Sequence, residues 1–370
     1  MKILFKPQIE WLPPEEFKDL SSYDEIAIDL ETKDPNLKTM GSGSVTGQAK
    51  IVGVALAVEG WSAYYPIAHE GGGNMDRKKV MDYFRTILNY PSKKIFHNAM
   101  YDVCFIRAEG LKINGTIVDT MIAGSLVDEN RFRYDLGSMG RDYVGRGKKE
   151  AVLLETAKEW GIDPKSEMYK LPAMYVGEYA EQDAKLTLEL WQEMKKEIVH
   201  QDIESIFDLE TSLFPCLVDM RFLGVRVDIE SAHALKQKLV REENQCLQQV
   251  KKETGIDTQI WAARSIAQVF EKLSLPFDRT EKTQAPSFTK NFLQNHQHPM
   301  VQKIARAREI NKAHTTFIDT ILKHSHKGRI HAEINQLRSD VGGTVTGRFS
   351  YANPNLQQIP ARNKELGPQI

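Results

Sequence analysis

Cysteine is scarce: Cys104, Cys216 and Cys246 are the only three in 370 residues, far apart and in no C-x-x-C spacing. That excludes a disulfide framework and a cysteine-based structural zinc site, and it fits a reducing compartment. Long apolar runs are missing too. No stretch approaches the roughly 18 apolar residues of a membrane span. The opening Met1-Lys2-Ile3-Leu4-Phe5-Lys6-Pro7 has neither the apolar region nor the cleavage site of a secretory signal. The expected location is a cytoplasm, with no membrane partner. A nucleotide-cradling glycine loop is also lacking: Gly71-Gly72-Gly73 has neither the Lys-Ser/Thr of a phosphate loop nor the helix start of a dinucleotide fingerprint. Net charge is nearly absent at -1, but unevenly so. Residues 1–200 carry 26 Lys+Arg against 31 Asp+Glu, and residues 201–370 carry 23 against 19.

What is present is the balance of an ordinary globular protein, 41% hydrophobic and 27% charged, with length for about two domains. The chain is organised around Ala27-Ile28-Asp29-Leu30-Glu31-Thr32. Residues 25–31 read as a strand, on which Asp29 and Glu31 project to one face and Ile28 and Leu30 to the other. Two like charges on a face that would normally be apolar are tolerable when a cation neutralises them, and oxygen ligands suit a hard divalent ion. A solvated strand edge is the other reading of this stretch alone.

Met40 to Gly47, rich in glycine and serine, reads as a loop near the carboxylates. Residues 51–58 and 61–67 form a hairpin about Glu59-Gly60. A helix over 76–88 precedes a short strand, Lys94-Ile95-Phe96-His97, and then a helix opening at Asn98 that carries Asp102 in its first turn, where the helix dipole favours an acid. Thr116–Val118 is another short strand, and Asp119 caps the helix after it. Residues 131–172 are mixed, and in the following helix Tyr179 and Asp183 stand at i and i+4 on one face, flanked by Leu186 and Leu190.

Three words in this order, Ile28-Asp29-Leu30-Glu31-Thr32, Phe96-His97-Asn98-Ala99-Met100-Tyr101-Asp102 and Tyr179-Ala180-Glu181-Gln182-Asp183-Ala184, resemble the motifs of the DEDDy 3′-5′ exonucleases of the proofreading type. The resemblance implies an α/β ribonuclease-H-like exonuclease domain over residues 1–200, a mixed sheet with flanking helices. It makes Asp29, Glu31, Asp102 and Asp183 the ligands of two divalent ions, Mg²⁺ or Mn²⁺, and Tyr179 the group that orients the attacking water. Two such ions can serve both ends of an in-line phosphodiester displacement. A tyrosine, with an ordinary pKa near 10, suits orientation better than proton abstraction. Asn98 is expected to touch the terminal nucleotide.

Residues 201–324 read as long helices, including 231–253, 261–273 and 300–324, with Phe222 to Asp228 a turn and strand. This resembles the thumb and early palm of family A, or DNA polymerase I type, polymerases. Thr346-Gly347-Arg348-Phe349-Ser350-Tyr351-Ala352-Asn353-Pro354-Asn355-Leu356-Gln357-Gln358-Ile359-Pro360 is similar to that family's segment against the primer-template duplex, departing at Phe349, Tyr351 and Gln358. The resemblance places Arg348 in the minor groove, whose acceptors vary little with sequence, with Asn355 and Gln358 as further DNA contacts. Residues 297–362 hold ten basic and four acidic residues, a balance that suits a phosphate backbone.

The family's polymerase carboxylate words, D-Y-S-x-x-E-L-R and H-D-E, do not occur before Ile370. The expectation is therefore a mainly helical thumb with an incomplete palm over 201–370, binding a single-stranded 3′ end and a primer-template duplex. The compact arrangement suggests a phage-type enzyme working in a host cytoplasm, with a second polypeptide supplying the remaining palm and fingers. An autonomous exonuclease on DNA or RNA ends, and a non-catalytic DNA-clamping subunit, are the alternatives.

Overall fold

The apolar run that carries Asp29 becomes a nine-residue strand, β1, Glu25–Lys33, in a computed structural model that describes residues 10–340 and 342–360. Residues 1–9, which include the Met1 to Pro7 opening, lie outside it. β2, Lys50–Val58, and β3, Trp61–Pro66, turn about Glu59-Gly60 as the sequence indicates, with Gly60 at φ 74°, where a side chain would be strained. β4, Lys93–Phe96, and β5, Ile117–Asp119, complete a five-stranded sheet of order β3-β2-β1-β4-β5. The first three strands pair antiparallel, whereas β1, β4 and β5 run parallel.

Alternation on β1 decides what covers each face. Ile26, Ile28 and Leu30 enter one core with α1, Arg77–Asn89, through Val80, Phe84, Ile87 and Leu88, and with α2, Ala99–Ala108, through Val103 and Ile106. Asp76 caps α1 by accepting the Lys79 amide at 2.9 Å. The opposite face is built of small residues. Ala27, Ala55 and Ala57 are fully buried against Ala180 and Ala184 of α5, Gly177–His200. Alanine on both surfaces lets the helix backbone lie close to the sheet, and that closeness decides where Tyr179 and Asp183 go. α3, Thr120–Val127, and α4, Ala151–Trp160, connect the sheet to α5.

The contact-defined division differs from a boundary at residue 200. The described residues fall into one unit that runs to residue 224 and takes in 331–355, and another of 225–330 with the residues from 356 on. α6, Glu204–Leu223, stays with the first because Phe214 and Val218 join the core that α2 also enters and Phe207 stacks on Trp191 at a ring distance of 5.5 Å. Residues 331–355 return to the same unit. Gln336 Nε2 donates to the Glu210 carbonyl at 2.8 Å, Ser125 Oγ donates to the Arg338 carbonyl at 2.6 Å, and Leu337 packs on the core. There Glu333–Asn335 and Ser350–Ala352 pair as the antiparallel strands β9 and β10.

In the second unit Val225–Arg226, Ser325–His326 and Arg329–Ile330 form a small sheet, β6 to β8. Its longer helices are α7, Ile229–Thr254, α8, Ala263–Lys272, and α9, Pro299–Lys312. The helix expected over 300–324 is interrupted by a π-helical stretch, Ala313–Ile318, where His314 Nε2 meets Glu243 of α7 at 2.6 Å.

Candidate active site

β4 is shorter than β1, and that mismatch begins the site. Pairing between them runs only to Ala27 and Ile95, so β1 continues beyond it with amides that need other acceptors. One of these, Leu30 N–H, donates to Asp102 Oδ1 at 3.0 Å. Asn98, exposed and left-handed at φ 65°, turns the chain from β4 into α2 so that Asp102 reaches back to β1. Asp119 at the end of β5 fastens the same turn. Its carboxylate accepts the Asn98 amide at 2.9 Å, the Ala99 amide at 2.8 Å and, as the cap of α3, the Met121 amide at 2.8 Å.

On the far side of β1, Glu31 stands opposite Gly53, and the register slips between Glu31 and Thr32. Such a bulge re-aims side chains at the end of a strand. The Val52 carbonyl there accepts from Ile67 and Ala68 at 2.7 and 2.9 Å. Gly53 is needed for space. A Cβ on it would lie 2.0 Å from the Tyr64 hydroxyl, whose ring fills that room. Tyr64 O–H donates to His69 Nε2 at 2.7 Å, because His69 Nδ1–H is committed to the Leu171 carbonyl at 3.0 Å.

α5 closes the site from above. Glu181 accepts Trp11 Nε1–H at 2.8 Å and the Tyr64 amide at 3.1 Å, tying the helix to β3. Two residues along, Asp183 is 2% exposed, beside Glu31 at 7% and Asp102 at 4%. Burial raises all four acids, and their mutual repulsion adds to it: Asp29 is pushed up to about 7 by burial and then by Asp183, and Glu31 and Asp102 are held well above the usual carboxylate range. Burial also raises Asp183, against the pull of Lys148. Tyr179 is lifted well above its ordinary value by burial and then by Asp183, Glu31 and Asp29, so its hydroxyl keeps its proton at neutral pH.

Lys148 is the residue that sequence reading missed. Its ammonium pairs with Asp183 Oδ2 and donates to Tyr179 Oη at 3.1 Å, lying 5.1 Å from the Tyr179 ring centre. No local pattern marks it, since it comes from the irregular stretch between α3 and α4.

The structure thus brings Asp29, Glu31, Asp102, Tyr179 and Asp183 to one end of one sheet, with Asn98 at the adjoining turn. Arg348 and Asn355 lie elsewhere in the first unit, around β10, both exposed. Gln358 belongs to the second unit and is exposed as well. The loop after α-helical residues 37–40 is docked rather than slack: Gly43 N–H donates to Asp34 at 2.9 Å and Ser42 N–H to Glu333 at 2.9 Å.

A divalent ion fits the chemistry of this donor set. The acids are hard oxygen donors, each disfavoured as a lone anion, and the buried Asp183 Oδ1 accepts no hydrogen bond. Among the described residues, however, no three Asp, Glu, His or Cys side chains already stand as a closed ligand set.

Comparison with known proteins agrees with this picture. Residues 10–199 match the family model of the 3′-5′ exonucleases, and residues 229–370 that of DNA polymerase family A. The DNA-directed DNA polymerase of Pseudomonas phage M6 is 34% identical over 373 aligned positions, 96% of this chain and 56% of the relative. DNA polymerase DpoZ of Salmonella phage PMBT28 is 30% identical, with 96% and 58% covered, and DNA polymerase I of Pseudomonas aeruginosa is 29% identical, with 94% and 38% covered. The chain spans little more than half the length of the two phage relatives. The POL domain of Pol1 from M. smegmatis, solved with DNA primer-template and dNTP, shares the fold at a TM-score of 0.71 and 20% identity, over 95% of this chain and 55% of that one.

Proposed function

The chain belongs to the family A DNA polymerases and carries their 3′-5′ exonuclease domain, and from that premise we propose that it removes nucleotides one at a time from DNA 3′ ends. The observation that carries the reading is the convergence of four raised carboxylates and one protonated tyrosine at the end of the mixed sheet. We read that sheet, with its two antiparallel and two parallel pairings, as ribonuclease-H-like.

Asp29, Glu31, Asp102 and Asp183 would hold two divalent ions, magnesium or manganese. Such ions neutralise the acids, activate water and stabilise an anionic leaving oxygen. The chain's own groups do the rest. Tyr179 O–H donates and orients, because its proton is not released near neutral pH. Leu30 N–H keeps Asp102 aimed at β1. We assign Asn98, exposed where β4 meets α2, to the terminal nucleotide.

We assign the duplex to Arg348, with Asn355 and Gln358 as further contacts, by analogy with the primer-template that the M. smegmatis polymerase holds. The relatives have a further length that this chain does not match. A second polypeptide supplying that length has no support in them, since there the matched part and the remainder share one chain.

The test is incubation of the chain with 5′-labelled single-stranded and primer-template DNA in magnesium or manganese, without nucleotides, beside Asp29→Ala and Asp183→Ala. Stepwise shortening from the 3′ end by the wild type alone is expected. Duplex binding without shortening in either metal would overturn the reading in favour of a clamping subunit. Equal shortening of RNA would broaden the substrate class.

A further inference from the structure

Three basic residues in four positions, 146–149, face α5, and they are not equivalent. Arg146 Nε donates to Glu189 at 2.8 Å, and Lys149 reaches Glu178 at 3.4 Å with both side chains more than half exposed. Pairs so exposed contribute little to stability. Lys148, between them, turns inward. Its side chain is 22% exposed and that of its partner Asp183 is 3% exposed, and it is the cation that offsets the charge of Asp29, Glu31 and Asp183. Asp183 is therefore half used: Oδ2 holds the ammonium while Oδ1, buried, has no donor.

We infer that Lys148 is a resident counter-cation, which holds the carboxylate cluster together in the metal-free chain and competes with a divalent ion for Asp183. The inference rests on reading the four acids as metal ligands. A divalent ion on the free Oδ1 of Asp183 would stand beside the ammonium on Oδ2 with like charge, so binding of the ion drives Lys148 toward the open side of the site. There its charge is free to meet a substrate phosphate. Lys148 is a positioning residue: it sets what the metal must displace. The surrounding stretch stays anchored without it, because Arg146 has its own partner in Glu189.

The experiment measures binding of Mn²⁺ alone, without DNA, by the paramagnetic signal of the free ion. The full chain is compared with Lys148→Met, Lys148→Gln and Asp29→Asn. A neighbouring opposite charge shifts a carboxylate's affinity for a proton by about one to three pK units, so removing the competitor is expected to tighten Mn²⁺ binding about tenfold or more. Asp29→Asn is expected to weaken it. A second measurement needs no variant. Amine-reactive labelling of the wild type, read by mass spectrometry, is expected to rise several-fold at Lys148 on saturation with Mn²⁺ and to stay level at Lys149.

Binding to the wild type that Asp29→Asn abolishes, with unchanged or weaker affinity in both Lys148 variants, would overturn this inference and leave the ligand reading intact. Should those variants not fold, constant labelling of Lys148 at saturating Mn²⁺ does the same. Tight binding to Lys148→Met but not to the wild type supports the inference. No Mn²⁺ binding by any form would overturn the ligand reading and this inference with it.

Discussion

Replacing Gly53 by alanine adds one methyl group, and the structure says what it meets. The new Cβ would lie 2.0 Å from Tyr64 Oη, 2.3 Å from Cζ and 2.4 Å from Cε2, where ordinary contact begins near 3.4 Å. The ring must therefore move by more than an ångström, yet Tyr64 is fully buried and its hydroxyl is held by His69. Overpacking of this kind costs about 1–3 kcal/mol. Breaking the bond to the buried His69 Nε2 adds about 1–3 kcal/mol. A loss near 3 kcal/mol is expected. For a unit of this size that corresponds to a fall in melting temperature of roughly 6–12 °C. The assay is calorimetry on the metal-free chain beside the 3′-shortening assay, because Gly53 pairs with Glu31 and a displaced β2 misplaces that carboxylate. Gly60→Ala, with open space around it, is the control for backbone strain alone. Adding Tyr64→Leu to Gly53→Ala should recover part of the loss. A Gly53→Ala chain that melts within about a degree of the wild type and shortens DNA normally would refute the packing argument.

Asp119→Ala removes the acceptor of three amides on two elements, and a loss of about 2 kcal/mol or more is expected by thermal unfolding, with slower 3′ shortening because Asp102 loses its placement. An unchanged melting temperature would contradict it. Burial holds His69 down at about 4, against about 6.5 in an unfolded chain, so between those values the unfolded state binds a proton that the folded state does not. Its contribution is present above about pH 6.5 and lost as pH falls toward 4, by up to about 3 kcal/mol. The stability difference between wild type and His69→Gln should therefore shrink on acidification, and a flat difference would count against the assignment. Arg348→Ala should weaken duplex binding and reduce the salt slope by roughly one, measured by fluorescence anisotropy at several salt concentrations. Unchanged binding would remove Arg348 from the interface.

Much of the exonuclease fold was legible because its signals are local. Alternation about Asp29, the turn at Glu59-Gly60, the cap at Asp119 and the i, i+4 face of Tyr179 and Asp183 each follow from a few neighbouring residues. Long-range consequences were not legible. Lys148 is 35 positions from Asp183, and only the packing of alanine on alanine brings α5 low enough for the two to meet. The docking of the 41–47 loop on Glu333 depends on residues 331–355 coming back, and the adherence of α6 to the first unit depends on the tertiary packing of Phe207, Phe214 and Val218; no periodicity announces either. The π-helical interruption at 313–318 was hidden for a related reason, since the pairing of His314 with Glu243 is tertiary.

That return makes the first unit a protein with a delayed closing piece. On the ribosome, at about 5–20 residues per second, roughly a hundred residues of the second unit must be made before Gln336 and Leu337 arrive, a wait of about 5–20 s. During that interval Glu210 lacks its buried amide partner and the loop at Ser42 lacks Glu333. A nascent chain cut at residue 224 would thus carry every acid of the candidate site and still be an unfinished clasp, sensitive to proteases at 41–47 until its last strand pair is delivered.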